Sequence, residues 1–183
     1  MDVTSDMSVP LRLRWQGPER RREAAGMKPI TPRTLDWMEQ APVCVTRTRR
    51  IAVDPDRVWA VIADHEGWSD WFGPITKVER IGSGEGVGGG RRVFIKSIGV
   101  EEEFLAWEPG SRFAFAVVRA NRSGIRSMVE DIRLTPEGDT ATTVSYTQAI
   151  DPVGSLVTAP LLRRAIPRTL DNGLAGLAQH VGG

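Results

Sequence analysis

The chain has 183 residues, 40% of them apolar and 26% charged, and 24 Lys and Arg against 23 Asp and Glu leave a net charge of +1. That is one globular domain with extensions, large enough to bury a real core and too evenly charged to be drawn to nucleic acid or an anionic membrane as a whole. A single cysteine, Cys44, excludes an internal disulfide, and the two histidines, His65 and His180, lie too far apart in sequence to suggest a zinc site.

No apolar run approaches the roughly 20 residues of a membrane span, so stable membrane insertion is not expected. The N-terminal arginines lack the apolar core of about 7–15 residues that marks a secretory signal, so the expected location is cytoplasmic.

In chain order, Met1 to Gly26 is polar, contains Glu19-Arg20-Arg21-Arg22-Glu23 and has no periodicity, so disorder is expected. Met27 follows directly and is a candidate natural start. Thr31 and Pro32 open a short helix over 31–41 with Leu35, Trp37 and Met38 apolar. It is too short to stand alone and must dock on the domain or reach a neighbouring subunit, in which case residues 1–42 would serve a homodimer.

The domain proper is expected over 43–183, beginning with a strand at Cys44 to Val53. Asp54-Pro55-Asp56 then starts a helix, with an N-cap, a proline at the first helical position and an acid at the positive end of the dipole. Its buried face is Val58, Trp59, Val61 and Ile62. His65-Glu66-Gly67 ends it, and Trp68-Ser69-Asp70-Trp71-Phe72 forms a second, very short helix before Gly73-Pro74.

Strands follow at Ile75–Ile81, Arg91–Ile98, Val100–Trp107, Arg112–Arg119, Gly124–Leu134 and Thr140–Ile150, separated by glycine- and proline-rich turns. The closing stretch carries Leu161, Leu162, Ile166, Leu170, Leu174, Leu177 and Val181 at spacings of three and four, one apolar stripe of a helix. Pro160 suits its first turn, whereas Pro167 is expected to kink or restart it. Short strands at hairpin spacing, with helices gathered early and late, give an α+β antiparallel domain.

Taken together, the capped Asp54-Pro55 helix with Val58-Trp59, Trp68-x-x-Trp71, Trp107-Glu108-Pro109-Gly110, Leu134-Thr135-Pro136-x-Gly138, Thr142-Thr143-Val144-Ser145-Tyr146 and the terminal helix resemble the START-like (SRPBCC) superfamily. The polyketide cyclase/dehydrase-like branch is the nearest match, over about residues 43–181. The resemblance implies a helix-grip fold, a curved seven-stranded sheet wrapped round the C-terminal helix with a hydrophobic cavity between them. Against that pattern, Pro167, Gly173 and Gly176 suggest a kinked or mobile terminal helix.

Gly84-Glu85-Gly86-Val87-Gly88-Gly89 fits the dinucleotide pattern G-x-G-x-x-G, but a strand rather than a helix follows, so no pyrophosphate site is expected. A flexible loop at the cavity mouth, with Arg91 and Arg92 solvated, is the simpler reading, and no cofactor is expected. Alternation is more informative. Along Gly124–Leu134, Met128, Ile132 and Leu134 share a face with Arg126 and Glu130, although Val129 breaks the pattern. The same parity turns Glu102 inward beside Phe104, and Tyr146 and Gln148 inward beside Val144. Charges on a core-facing strand need partners, water or a ligand.

The candidate ligand contacts are therefore Trp71, Phe72, Phe94, Phe104, Phe113, Phe115, Arg126, Met128, Glu130, Tyr146, Leu162, Ile166 and Leu170. A carrier or sensor of a hydrophobic small molecule (a lipid, polyketide or aromatic metabolite) is the leading reading. The rival is a cyclase or dehydratase, with Glu102, Glu130 or His65 as base and Tyr146 or Arg126 as donor. A protein-interaction domain acting through 31–42 is the third. Glu101-Glu102-Glu103 is too short for a metal cage.

Overall fold

The computed structural model describes residues 26–122 and 124–183. The disorder expected over residues 1–26 lies, except for Gly26, outside the described residues. Eight strands, β1 (Lys28–Pro29), β2 (Val43–Ile51), β3 (Lys77–Ile81), β4 (Gly90–Ile95), β5 (Ile98–Glu108), β6 (Arg112–Ala120), β7 (Ile125–Pro136) and β8 (Thr142–Pro152), form one antiparallel sheet. Its order is β2-β8-β7-β6-β5-β4-β3, with β1 paired to β6. Helices α1 (Pro55–Ala63) and α2 (Trp68–Trp71) follow the first long strand, and α3 (Ser155–Gly182) closes the chain. The sheet is curved and unclosed, and it holds α3 in the helix-grip manner.

Local chemistry explains the boundaries. Asp54 caps α1 by accepting a hydrogen bond from the Arg57 backbone N–H at 2.9 Å, and Pro55 sits in the first turn. The chain leaves β8 through Gly154, whose φ of 67° lies in the left-handed region that a side chain would resist.

The terminal helix differs from expectation in two ways. It begins at Ser155 rather than Pro160, and it runs through both Pro160 and Pro167 without restarting. A helix-interior proline costs roughly 3 kcal/mol. Here Ile166, Leu170, Leu174, Leu177 and Val181, all buried in the main core, offset that cost by holding the helix on the sheet.

The two helix glycines are sites of contact rather than weakness. A Cβ on Gly173 would stand 2.4 Å from Phe72 Cε2, and one on Gly176 would stand 2.0 Å from the Trp71 carbonyl oxygen. Their missing side chains let α2 lie directly against α3, which brings Trp68, Trp71 and Phe72 over the concave face.

The N-terminal segment belongs to the fold. The pairing of β6 with β7 stops at Ala116 and Val129, and the chain from Lys28 enters the gap beyond. The Ile30 N–H donates to Val118 O at 3.1 Å and the Thr31 N–H to Arg126 O at 2.9 Å. A 3-10 helix at Leu35–Gln40, tighter and shorter than the helix expected there, then buries Met38 on the convex face against Ala116, Val129 and Ala149. That second small core explains why Val129 breaks the alternation of β7.

Two outcomes follow. Gly→Ala inside a helix normally stabilises by about 1 kcal/mol, yet Gly176→Ala should destabilise by roughly 2 kcal/mol or more through overpacking, whereas Gly182→Ala, with open space at its Cβ, should not. Urea unfolding of both variants reads the difference. Deleting residues 1–41 uncovers the Met38 core and should cost about 3 kcal/mol or more, visible as a lowered midpoint in the same experiment.

Candidate functional site

The concave face is built around one buried cation. Arg91 begins the inward-facing row of β4 with Val93, and it is 1% exposed. Its register partner on β5 is Glu102, and Arg91 Nε donates to Glu102 Oε2 at 2.6 Å. The guanidinium carbon lies 3.9 Å from the Trp68 ring centre, 4.8 Å from Phe115 and 5.3 Å from Phe113. A planar cation stacks on rings in this way while its edge makes directed bonds. The solvated placement expected for Arg91 and Arg92 is thus corrected for both. Arg92 is buried on the convex face, where it donates to Glu101 at 2.7 Å and Glu79 at 3.3 Å. The signal was present as an Arg-Arg pair facing a Glu-Glu pair across a hairpin.

His65 completes one end of the network. It is fully buried, packed between Phe104, Trp107 and Phe113. Its Nε2–H donates to Gly84 O at 2.8 Å, which leaves Nδ1 to accept from Arg91 at 3.4 Å. Burial, with Arg91 beside it, holds the ring down to a pKa of about 4, so it is neutral near pH 7. Both nitrogens are engaged, which makes His65 a link between the glycine loop and Arg91 rather than an open base. Gly84 offers its carbonyl from a left-handed turn, φ 67°, and β4 follows the loop with no helix, so the loop has no phosphate-binding amides of the dinucleotide kind.

At the other end lies Glu130, 4% exposed on β7. Its carboxyl accepts from the Tyr146 hydroxyl and from the Gln148 amide, both on the neighbouring strand β8. Burial, and then the charge of Glu102, push Glu130 up to about 7. Burial likewise raises Glu102, opposed by Arg91, and raises Tyr146, reinforced by Glu130. Glu102 thus holds the guanidinium in a desolvated space, while Glu130 has no ion pair of its own and carries the proton more readily for it.

The remaining candidates divide by position. Trp71, Phe72, Phe104, Phe113, Phe115, Ile166 and Leu170 are buried in the main core with Tyr146, and Leu162 and Met128 pack against it partly exposed. Phe72 and Tyr146 approach with ring centres 6.3 Å apart. Phe94, next to the inward-facing Val93, takes the opposite parity and lies near Lys77 and Gly99 on the other face. Arg126 is also placed away from the others. A bulge between Ile125 and Ser127 turns it outward, where it is exposed and pairs with Asp151 at 3.5 Å.

Arg126 lines an open surface cleft of about 560 Å³ beside Lys28–Pro32, Ala120, Arg122 and Ile125, remote in character from the aromatic interior. Trp71 Nε1 is a buried N–H that finds no acceptor among the described residues. Nor do three or more His, Cys, Asp or Glu side chains among them gather as a metal site requires.

A family model described as polyketide cyclase/dehydrase and lipid transport matches residues 42–182. Uncharacterised proteins of Mycobacterium tuberculosis and Mycobacterium bovis are each 31% identical over 145 residues, covering 75% of this chain and 86% of their own. Among solved structures, the Zhui aromatase/cyclase from Streptomyces sp. R1128 is similar at a TM-score of 0.64 and 19% identity, over 76% of this chain and 93% of its own. A START superfamily protein from Mycobacterium smegmatis gives 0.65 and 14%, over 76% and 97%. At these identities the structural likeness is one of fold.

The two shifted groups oppose each other in pH. The unfolded His65 ring gains a proton near 6.5 and the folded one only near 4, so stability is lost as pH falls through that window. The unfolded Glu130 carboxyl loses its proton near 4.5 and the folded one near 7, so stability is lost as pH rises through that window. Glu130→Gln should therefore unmask the His65 slope. Between pH 4.5 and 6.5 its unfolding free energy should climb with pH more steeply than that of the unsubstituted protein, by up to about 1.4 kcal/mol per unit. His65→Asn should tilt the slope the other way, and identical slopes in all three proteins would refute the assignment.

Proposed function

Because the chain belongs to the polyketide cyclase/dehydrase and lipid transport family, we propose that it binds a hydrophobic small molecule (a lipid, polyketide or aromatic metabolite) between the sheet and α3, as a carrier or sensor. Glu130, Tyr146 and Gln148 read one oxygen-bearing group of that molecule. The observation that carries this reading is the buried Glu130–Tyr146–Gln148 cluster inside an aromatic interior, with Glu130 raised to about 7. Such a mixture, mostly apolar side chains with a few convergent polar groups, suits orientation of a ligand whose affinity comes from desolvation at roughly 25 cal/mol per Å².

Trp71 Nε1 supports the same reading. A buried donor without an acceptor costs about 1–3 kcal/mol, and a ligand carbonyl arriving beside it would recover that cost. Entry proceeds by movement of α2, which has only four residues and rests on the glycine face of α3.

A second reading, an acid/base cyclase or dehydratase, is favoured by the value of about 7 at Glu130. A carboxyl balanced near neutral pH can take a proton from the carbon between two carbonyls and return it later. The Tyr146 hydroxyl would then donate to the enolate oxygen, and Arg91 would favour the developing negative charge.

Native mass spectrometry of freshly purified protein should reveal a co-purified apolar molecule, and that molecule becomes the titrant for variants. Trp71→Phe removes the free donor together with part of the buried ring, so it should cost the fold roughly 1–3 kcal/mol and weaken binding about tenfold. Unchanged affinity would remove Trp71 from the site. For the second reading, a poly-β-ketone substrate should cyclise at least about a hundredfold more slowly with Glu130→Gln, and an equal rate would eliminate Glu130 as the base.

A further inference from the structure

The first two turns of α3 expose apolar residues in unusual concentration. Leu156 is 95% exposed, Val157 73% and Leu161 63%, and Val153 in the preceding turn is 44% exposed. The opposite side is ordinary core, with Ala159 buried in the second turn and Ile166 in the fourth. At about 100° per residue, Val157, Leu161, Arg164 and Arg168 fall within one arc of about 60°, directly away from the core.

Charge on this surface is one-sided. From Pro152 to Leu170 the chain has Arg163, Arg164 and Arg168 and no Asp or Glu. Arg163 donates to Pro42 O at 2.7 Å, while the flanking acids are already engaged, Asp151 with Arg126 and Asp171 with Arg47. Neither Arg164 nor Arg168 has an ion-pair partner among the described residues. The overall charge of +1 therefore conceals a local stretch in which exposed leucine and valine adjoin uncompensated arginine.

We propose that this end of α3 docks reversibly on an anionic lipid bilayer. Val157 and Leu161 enter the boundary between headgroups and acyl chains, with the exposed Leu156 about 100° round the helix at their flank, and Arg164 and Arg168 meet the anionic headgroups. No helix among the described residues is long and apolar enough to cross a membrane, and this contact asks for none. Charge selects the bilayer over a second copy of the chain, because two such faces brought together would oppose Arg164 and Arg168 to their own images. The contact holds whatever the interior binds.

The test is sedimentation of the full-length protein with vesicles of phosphatidylcholine alone or mixed with phosphatidylglycerol. Binding is expected to the mixed vesicles, falling as salt is raised. Leu156→Ser with Leu161→Ser, and separately Arg164→Glu with Arg168→Glu, should each weaken it by about tenfold or more while leaving circular dichroism unchanged. Failure of the unsubstituted protein to sediment with mixed vesicles overturns the proposal. So does equal sedimentation of the variants, which would assign the attraction to Arg20, Arg21 and Arg22 instead. A lipid-free dimer that Leu156→Ser converts to monomer also overturns it, and makes this face a self-association surface.

Discussion

A guanidinium sealed from water is the constraint around which the interior is arranged. Removing such a charge from solvent costs several kcal/mol unless it is paired and hydrogen-bonded. Arg91 meets that demand with Glu102 at 2.6 Å, a ring face at 3.9 Å and the His65 nitrogen at 3.4 Å. Each partner is then constrained in turn. His65 must be neutral to accept, so its other nitrogen is fixed as the donor to Gly84. Glu102 is committed to the cation, so the second carboxyl, Glu130, has no counter-ion of its own, and burial and the charge of Glu102 push it up to about 7 against the opposing hydrogen bonds from Tyr146 and Gln148. The chemical character of Glu130 is thus set by its burial and, two strands away on the same face, by Glu102 of β5.

The apolar enclosure around that network depends on contacts of a different kind. Trp68, Trp71 and Phe72 cover the concave face because a four-residue helix can lie flush against α3, and it can do so because Gly173 and Gly176 have no side chains. A helix of that length has no stability of its own. The cover over the interior is therefore as firm as its van der Waals fit to those two glycines.

Much of this was legible beforehand, and the failures have physical causes. The succession of strands along the chain, the Asp54-Pro55 helix start and the apolar stripe from Ile166 to Val181 follow from periodicity and capping, which are local. The period of two also put Glu102, Glu130 and Tyr146 on one face. Arg126 escaped that count because one extra residue at the bulge reverses the parity behind Met128. Arg91 was overlooked because a charged residue at a strand entrance is ordinarily wet, and only the register against Glu102 reveals otherwise. In the sequence the glycines of α3 suggest a kinked or mobile helix, because close approach is a property of two elements that the sequence does not juxtapose. Val129 was the one visible anomaly, and the arm at Leu35–Gln40 accounts for it.

The slot occupied by β1 carries a consequence for how the chain is made. Thr31 hydrogen-bonds to Ser127 across 96 residues, so the segment that leaves the ribosome early has no seat until both β6 and β7 have been synthesised and have splayed apart. Contacts of such long range form slowly, and the arm is the natural last piece of the assembly, closing the seam after the rest has condensed. A bulky fusion placed ahead of Lys28 would burden that final step while leaving the earlier ones alone.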